Sequence, residues 1–247
     1  MGFEDQVFIV SGGANGMGRA TATLLAQRGA NVVIADIDTE AGNRVAKSIG
    51  SRAVLDETDL RSVDAIQGLV ARTEERFGKI DGLASVAAAF PSAEFIDTAV
   101  DDWQQGDDVN HRAVYFLAQT VARAMMRRGA GGAIVNVASG AAFRPIPHMS
   151  AYAGTKGGVV AMSKTMAAEL APHRIRVNVV APGHTASEHV RRELTEEQFN
   201  EIASTLVPRR WMEPEEVAQA IVFLLSDSAR AMTGAVLNVN AGNYMPH

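Results

Sequence analysis

The chain contains no cysteine, which excludes disulfides and thiolate metal sites. That absence fits a reducing compartment, and the expected localisation is cytoplasmic. No segment reaches the roughly 18 unbroken apolar residues of a membrane span, so no membrane association is expected. The opening Met1-Gly2-Phe3-Glu4-Asp5-Gln6 carries acid where a secretory leader carries base, and Gln6 breaks the myristoylation pattern, so neither signal is expected. Charge of one sign is not in great excess. Lys and Arg number 23 against 28 Asp and Glu, a net charge of -5, and the scattered cations give no electrostatic footprint for nucleic acid. The histidines lack a His-x-x-x-His spacing, so no metal is expected. Linkers, internal repeats and low-complexity tracts are also missing.

What is present is a chain of 247 residues with 47% hydrophobic and 21% charged residues, the balance of a soluble globular protein. Its length suits one domain, 1–247, around a sizeable core. Short apolar runs alternate with helical periodicity. Strands are expected at 6–10, 31–35, 52–55, 82–86, 133–137, 176–180 and 235–239. Helices are expected at 18–28, 39–48, 62–77, 102–128, 150–171 and 214–225, the last with Pro214 just inside its start. Strict alternation with doubly apolar strands means a parallel sheet covered on both faces. The expected fold is α/β, a Rossmann-like doubly wound sheet of about seven strands. The stretch 184–210 has no clear period and is long for a connection. It is expected to be functional or partly helical, as a substrate-binding loop or lid.

The first strand runs into Ser11-Gly12-Gly13-Ala14-Asn15-Gly16-Met17-Gly18. Glycines here allow a tight turn and close approach of backbone to a pyrophosphate, and the following helix offers free N–H groups and partial positive charge. Alone, such a turn is weak evidence; the Gly-x-x-x-Gly-x-Gly spacing between a strand and a helix strengthens it. Asp36 ends the second strand. A carboxylate there can accept from adenosine ribose hydroxyls and would repel a 2′-phosphate, or it is a solvated loop residue. Neither Ile37 nor Asn15 supplies a cation for that phosphate. Asp59-Leu60 either meets an adenine edge or caps the next helix.

Tyr152 and Lys156 stand at i and i+4 and share a helix face. Most such pairs are surface pairs, but this one opens the helix after the fifth strand. A free phenol has a pKa near 10; a neighbouring ammonium would lower it and make Tyr152 a general acid or base. Ser139 ends the fifth strand, at the carboxyl edge where ligands bind in such sheets, or caps its loop. Asn110 sits inside a long helix where Asn has no propensity advantage, which suits a polar role or an ordinary exposed side chain.

Together these residues resemble the short-chain dehydrogenase/reductase family, of the type with about 250 residues, across essentially the whole chain. The glycine turn resembles its Thr-Gly-x-x-x-Gly-x-Gly motif with Ser11 for Thr. Asp59 matches its adenine-contacting acid, and Asn110, Ser139, Tyr152 and Lys156 match its catalytic tetrad. Arg176-Val177-Asn178, Pro182-Gly183, Glu215-Glu216-Val217-Ala218 and Thr233-Gly234 match later signatures. Ser187 falls where the family has Thr near the nicotinamide carboxamide. Two segments depart. Ser85-Val86-Ala87-Ala88 replaces Asn-Asn-Ala-Gly, where Ser85 is expected to keep one side-chain bond, and Asn240-Ala241-Gly242 replaces Asp-Gly-Gly.

The resemblance implies an alcohol–carbonyl oxidoreductase with NAD as cofactor. Cofactor contacts are then expected from Gly12, Asn15, Gly16, Met17, Gly18, Asp36, Ile37, Asp59, Leu60, Ala87, Tyr152, Lys156, Pro182, Gly183, Thr185 and Ser187. Tyr152 would be the acid–base, with Ser139 on the substrate oxygen, Lys156 on the nicotinamide ribose and Asn110 on a linking water. A homotetramer is also implied. Its interface is expected on the helices from Asp102 and Ser150, because Val114, Leu117, Val121, Val160 and Met166 exceed what one sheet face can cover. His148 and His184 either line the pocket or lie in solvated loops. Arg191-Arg192 and Arg209-Arg210 are ordinarily solvated, though one could hold an acidic substrate. Phe90, Phe143, Ile146, Met149, Val190, Leu194, Phe199, Leu206 and Trp211 flank the expected site. Alternatives are an NADPH-dependent reductase of 3-oxoacyl type, which Asp36 and Ile37 oppose, and a non-catalytic dinucleotide-binding protein, which the intact tetrad opposes.

Overall fold

The computed structural model describes residues 2–245. Seven strands, β1 (Val7–Ser11), β2 (Asn31–Asp36), β3 (Ala53–Glu57), β4 (Gly82–Ser85), β5 (Gly132–Val137), β6 (Ile175–Pro182) and β7 (Val236–Val239), form one sheet in the order β3-β2-β1-β4-β5-β6-β7. Every pairing is parallel. The crossovers are α1 (Gly16–Gln27), α2 (Thr39–Ile49), α3 (Val63–Phe77), α4 (Val100–Asp107), α5 (Ala113–Arg128), α6 (Ser150–Leu170) and, after two short helices α7 (Glu188–Glu193) and α8 (Glu196–Thr205), α9 (Pro214–Leu225).

Side chains alternate across the strands and so feed two cores. Val10, Ala84 and Val135 pack with Leu25 of α1 and Ile221 and Leu225 of α9. Their neighbours Ile9, Leu83 and Ile134 pack on the other face with Ile66 and Leu69 of α3 and Leu117 and Val121 of α5. All the residues of β1 and β4 are buried, which explains why they read as apolar runs rather than alternating ones. From β1 the chain winds outward to β3, then returns to β4 and winds the other way. The crevice at the carboxyl ends of β1 and β4 is therefore the topological switch point, with Ser11 and Ser85 side by side in register.

Two expectations need correction. The helix expected from Asp102 to Arg128 is helical throughout, but residues Asp108–Arg112 form a π turn between α4 and α5. One extra residue in a turn leaves the apolar periodicity on either side intact, so it does not show in the sequence. The residues offered for the tetramer interface are also misassigned: Val114, Leu117, Val121 and Val160 are buried within the protomer, and Met166 packs against its core. The exposed apolar side chains near these helices are Val100, Trp103, Tyr115 and Met126. The 184–210 stretch is partly helical, carrying α7 and α8.

Candidate active site

The glycine turn is built by close approach. Gly12 has φ +66, and a Cβ on it would lie 2.7 Å from Ala87 Cα. A Cβ on Gly18 would lie 2.0 Å from Gly12 O, so both positions exclude a side chain. Ser11 Oγ ties the turn to the loop after β4, accepting from Val86 N at 3.1 Å and Ala87 N at 3.3 Å. Helix α1 begins at Gly16 with no side-chain cap from Asn15, so its first N–H groups face the crevice. One of them is engaged by an anion: Gly16 N donates to Glu188 Oε2 at 2.7 Å. Arg19 holds the other oxygen at 2.8 Å. A carboxylate thus stands at this helix N-terminus, an anion where free N–H groups and the helix dipole favour one.

Asp36 closes β2 beside the turn. Its carboxylate accepts from Ala14 N and from Asp38 N, both at 3.0 Å, and each oxygen retains a lone pair for a ribose hydroxyl. Ile37 next to it is exposed. Asp38 caps α2 through Ala41 N at 2.9 Å. That backbone bond holds its pKa below the usual value, and Arg44 and Arg192 lower it further. Asp59 is not a helix cap, because Ser62 fills that role for α3. Its carboxylate instead grips Arg61, at 3.0 Å to Nε and 2.7 Å to Nη2. Leu60 is buried.

At the other end of the crevice Tyr152 and Lys156 are 6% and 1% exposed. Lys156 Nζ donates to Val137 O at 3.0 Å and lies 5.7 Å from the Tyr152 ring centroid. Burial pushes the Tyr152 phenol up to about 12, against a smaller lowering by its hydrogen bond with Ser139. Burial also lowers Lys156 to about 8. The lowered phenol pKa expected from Lys156 is thus not found: desolvation of the phenolate dominates, and what opposes it is the Ser139 hydrogen bond, not the ammonium. Ser139 Oγ accepts from Ala141 N at 3.1 Å. It caps its loop and keeps its own hydrogen for Tyr152 or a substrate oxygen.

Asn110 is fully buried in the π turn. Both ends of its amide are spent on Ala89, at 2.8 Å to its N and 2.8 Å to its O. It pins the loop after β4. Ser85 Oγ, expected to keep a bond, is buried without a partner. Pro182 ends β6 and Gly183 follows it, its N donating to Val239 O at 2.9 Å. Thr185 Oγ1 bonds Gly183 O at 3.2 Å. Ser187 Oγ accepts from Val190 N at 3.4 Å and caps α7.

Phe90 stacks on Tyr152 at 5.4 Å and on His189 at 5.0 Å. Phe143 stacks on Tyr244 at 5.8 Å. Half-buried His184 contacts Asn243 Nδ2 at 2.9 Å. Its pKa is lowered by burial and by Arg144. His148 faces Glu94 at 3.4 Å in an exposed loop. Arg191 pairs with Glu213, and Arg210 pairs with Glu216. Among the described residues no group of three His, Asp or Glu could hold a metal, and no helix is long and apolar enough to cross a membrane. Glu188, Arg19 and His189 were not among the site residues expected from sequence. The acid directly after Ser187 was the available signal, but its contact with Gly16 spans 172 positions.

A family model described as enoyl-(acyl carrier protein) reductase matches residues 12–243. The chain is 36% identical to 2,5-dichloro-2,5-cyclohexadiene-1,4-diol dehydrogenase of Sphingobium indicum, over 96% of both chains. It is 36% identical to L-rhamnose 1-dehydrogenase (NAD(P)(+)) of a Sphingomonas strain, over 98% of this chain and 97% of the other. It is also 36% identical to 3-oxoacyl-(acyl-carrier-protein) reductase of Thermotoga maritima, over 98% and 99%. A short-chain type dehydrogenase/reductase from Mycobacterium marinum superposes with TM-score 0.93 at 29% identity, over 99% and 98%. The chain belongs to the short-chain dehydrogenase/reductase family. As a short-chain dehydrogenase/reductase it is an oxidoreductase acting on CH–OH groups with a nicotinamide cofactor.

Proposed function

We propose that this short-chain dehydrogenase/reductase interconverts a secondary alcohol on a ring and its ketone, with NAD as hydride partner and Tyr152 as acid–base. The observation that carries this reading is the burial of Tyr152 and Lys156 on one face of α6, beside Ser139 and in the crevice that also holds the glycine turn. The nicotinamide supplies the hydride chemistry. Tyr152 takes the hydroxyl proton during oxidation and returns it during reduction. Ser139, which accepts from Ala141 N–H and keeps its own hydrogen, donates to the substrate oxygen. Lys156 at about 8 is mostly cationic at neutral pH and favours the phenolate. Gly12, Asn15, Gly16, Met17, Gly18, Ala87, Pro182, Gly183, Thr185 and Ser187 line the cofactor path.

Asp36 supports NAD over NADP, because a carboxylate beside the ribose repels a 2′-phosphate. Ring substrates are supported by the flat face of Phe90 stacked on Tyr152 and by the cyclohexadiene diol named for one relative. An NADPH-dependent 3-oxoacyl reductase is the second reading. It is favoured by the Thermotoga maritima relative and by the charge of Arg192, which reaches Asp38. One domain carries both functions, with residues 184–210 as its substrate-binding loop. Four copies assemble through faces that include exposed Val100, Trp103 and Tyr115; sedimentation of a monomer alone at micromolar concentration would contradict this.

The test is a set of cyclic and linear secondary alcohols offered with NAD or NADP, read by nicotinamide absorbance. Cyclic alcohols with NAD should give the highest kcat/KM. Tyr152→Phe should reduce kcat about 10²–10⁴-fold, the usual worth of a general acid–base, with little change in NADH affinity. Near-normal turnover by a folded Tyr152→Phe would refute the mechanism.

A further inference from the structure

Helix α7 touches both ends of the site through two consecutive residues. Glu188 places its carboxylate on Gly16 N at 2.7 Å and on Arg19 at 2.8 Å. Backbone proximity confirms the docking, since a Cβ on Gly16 would come within 3.3 Å of Ser187 Cβ. His189 lies flat on Phe90 at 5.0 Å and 15°, and Phe90 in turn lies on Tyr152 at 5.4 Å and 27°. The first contact occupies the N-terminus of α1. The second roofs the proton-transfer residue.

We propose that Glu188 is a latch, an internal anion that competes with the cofactor's phosphates for the N-terminus of α1. This rests on the reading of the glycine turn as the pyrophosphate site. Two anions cannot share one backbone N–H, and a phosphate beside Glu188 would meet a like charge. Binding therefore requires the carboxylate to leave Gly16. Glu188 and His189 are adjacent on a helix of six residues with no fully buried residue, so in this proposal the helix moves as a unit and His189 moves with Glu188. The His189 ring then leaves the face of Phe90, the ring that lies on Tyr152, as the phosphates seat. Arg19, released from Glu188, is left facing the phosphates as a cation. The short length of α7 and its polar attachments keep the cost of this motion low.

The test uses ADP-ribose, which carries the two phosphates without a nicotinamide, and NADH, with dissociation constants measured by calorimetry for the wild-type chain and for Glu188→Ala. Removing one charge-assisted contact at a helix N-terminus should tighten both ligands roughly threefold to tenfold. Glu188→Gln, which keeps the size and drops the charge, should fall between the two. Melting temperatures close to wild type would show that both variants fold. A second readout does not depend on affinity: ADP-ribose should raise deuterium uptake by the amides of residues 188–193 in the wild-type chain, and change it little in Glu188→Ala. Equal affinities in all three chains, or uptake unchanged by ADP-ribose in the wild type, would overturn the latch and leave the cofactor reading standing. No binding of either ligand by any of the three would overturn both.

Discussion

Helix α6 and the α7–α8 segment border the same crevice, yet they are anchored by different physics. Helix α6 runs for 21 residues and buries Tyr152, Lys156, Val159 and Ser163 against the sheet. Helices α7 and α8 have no fully buried residue. They are held by Glu188 on Gly16, by Arg191 on Glu213, and by Trp211, which donates to Phe199 O at 2.9 Å and stacks on its ring at 4.7 Å. Proton transfer needs a fixed, desolvated donor, because small misplacements are costly. Ligand entry needs an element that opens at low free energy. The chain puts the first task on a packed helix and the second on polar contacts that a ligand can replace.

The largest expected contrast is in stability. Ile134→Ala, a cavity beneath the fully buried centre of β5, should cost about 2–5 kcal/mol in denaturant unfolding. Ile202→Ala on α8 should cost less than about 1 kcal/mol. Similar losses would mean that α8 belongs to the cooperative core. A smaller effect is expected in cofactor choice. Asp36→Ala should narrow the NAD-to-NADP ratio of kcat/KM by about tenfold, roughly 1.4 kcal/mol. An unchanged ratio would remove Asp36 as its determinant.

The smallest effect is in pH. Glu216, gripped by Arg210 and by Glu213 N, has its carboxyl lowered from 4.5 to about 2. A lowered carboxyl stabilises above its unfolded pKa and loses that contribution as pH falls through its folded one. The Arg210–Glu216 clasp should therefore hold above about 4.5 and release toward about 2. Proteolysis within 195–210 should then rise between those values, before the core melts. Simultaneous loss of lid and core would contradict the division.

Much of this was legible in the sequence because it is local. The glycine turn, the strand ends at Asp36 and Ser139, and the Tyr152–Lys156 spacing are each set within a few residues of chain. The seven parallel strands followed from alternating apolar runs. What stayed hidden was non-local or counter-periodic. The π turn at Asp108–Arg112 leaves the helical pattern intact on both sides. Val114 and Leu117 read as surplus apolar surface because sequence does not show that two further helices share their face. The partners of Glu188 and Asn110 lie 172 and 21 positions away. The raised phenol pKa depends on how deeply the ring is buried, which spacing does not report.

The central claim is that Tyr152 becomes a usable acid–base only in the assembled site, and direct titration of its phenol tests it. The chain has three tyrosines, Tyr115, Tyr152 and Tyr244, so labelled tyrosine ring carbons can be followed one by one by NMR. Without cofactor, Tyr152 should stay protonated beyond the ordinary phenol value near 10, in keeping with its displacement to about 12. With NAD bound, its pKa should fall below 10, and Lys156→Met should abolish that fall. A Tyr152 phenol that stays above 10 with NAD bound would contradict the account.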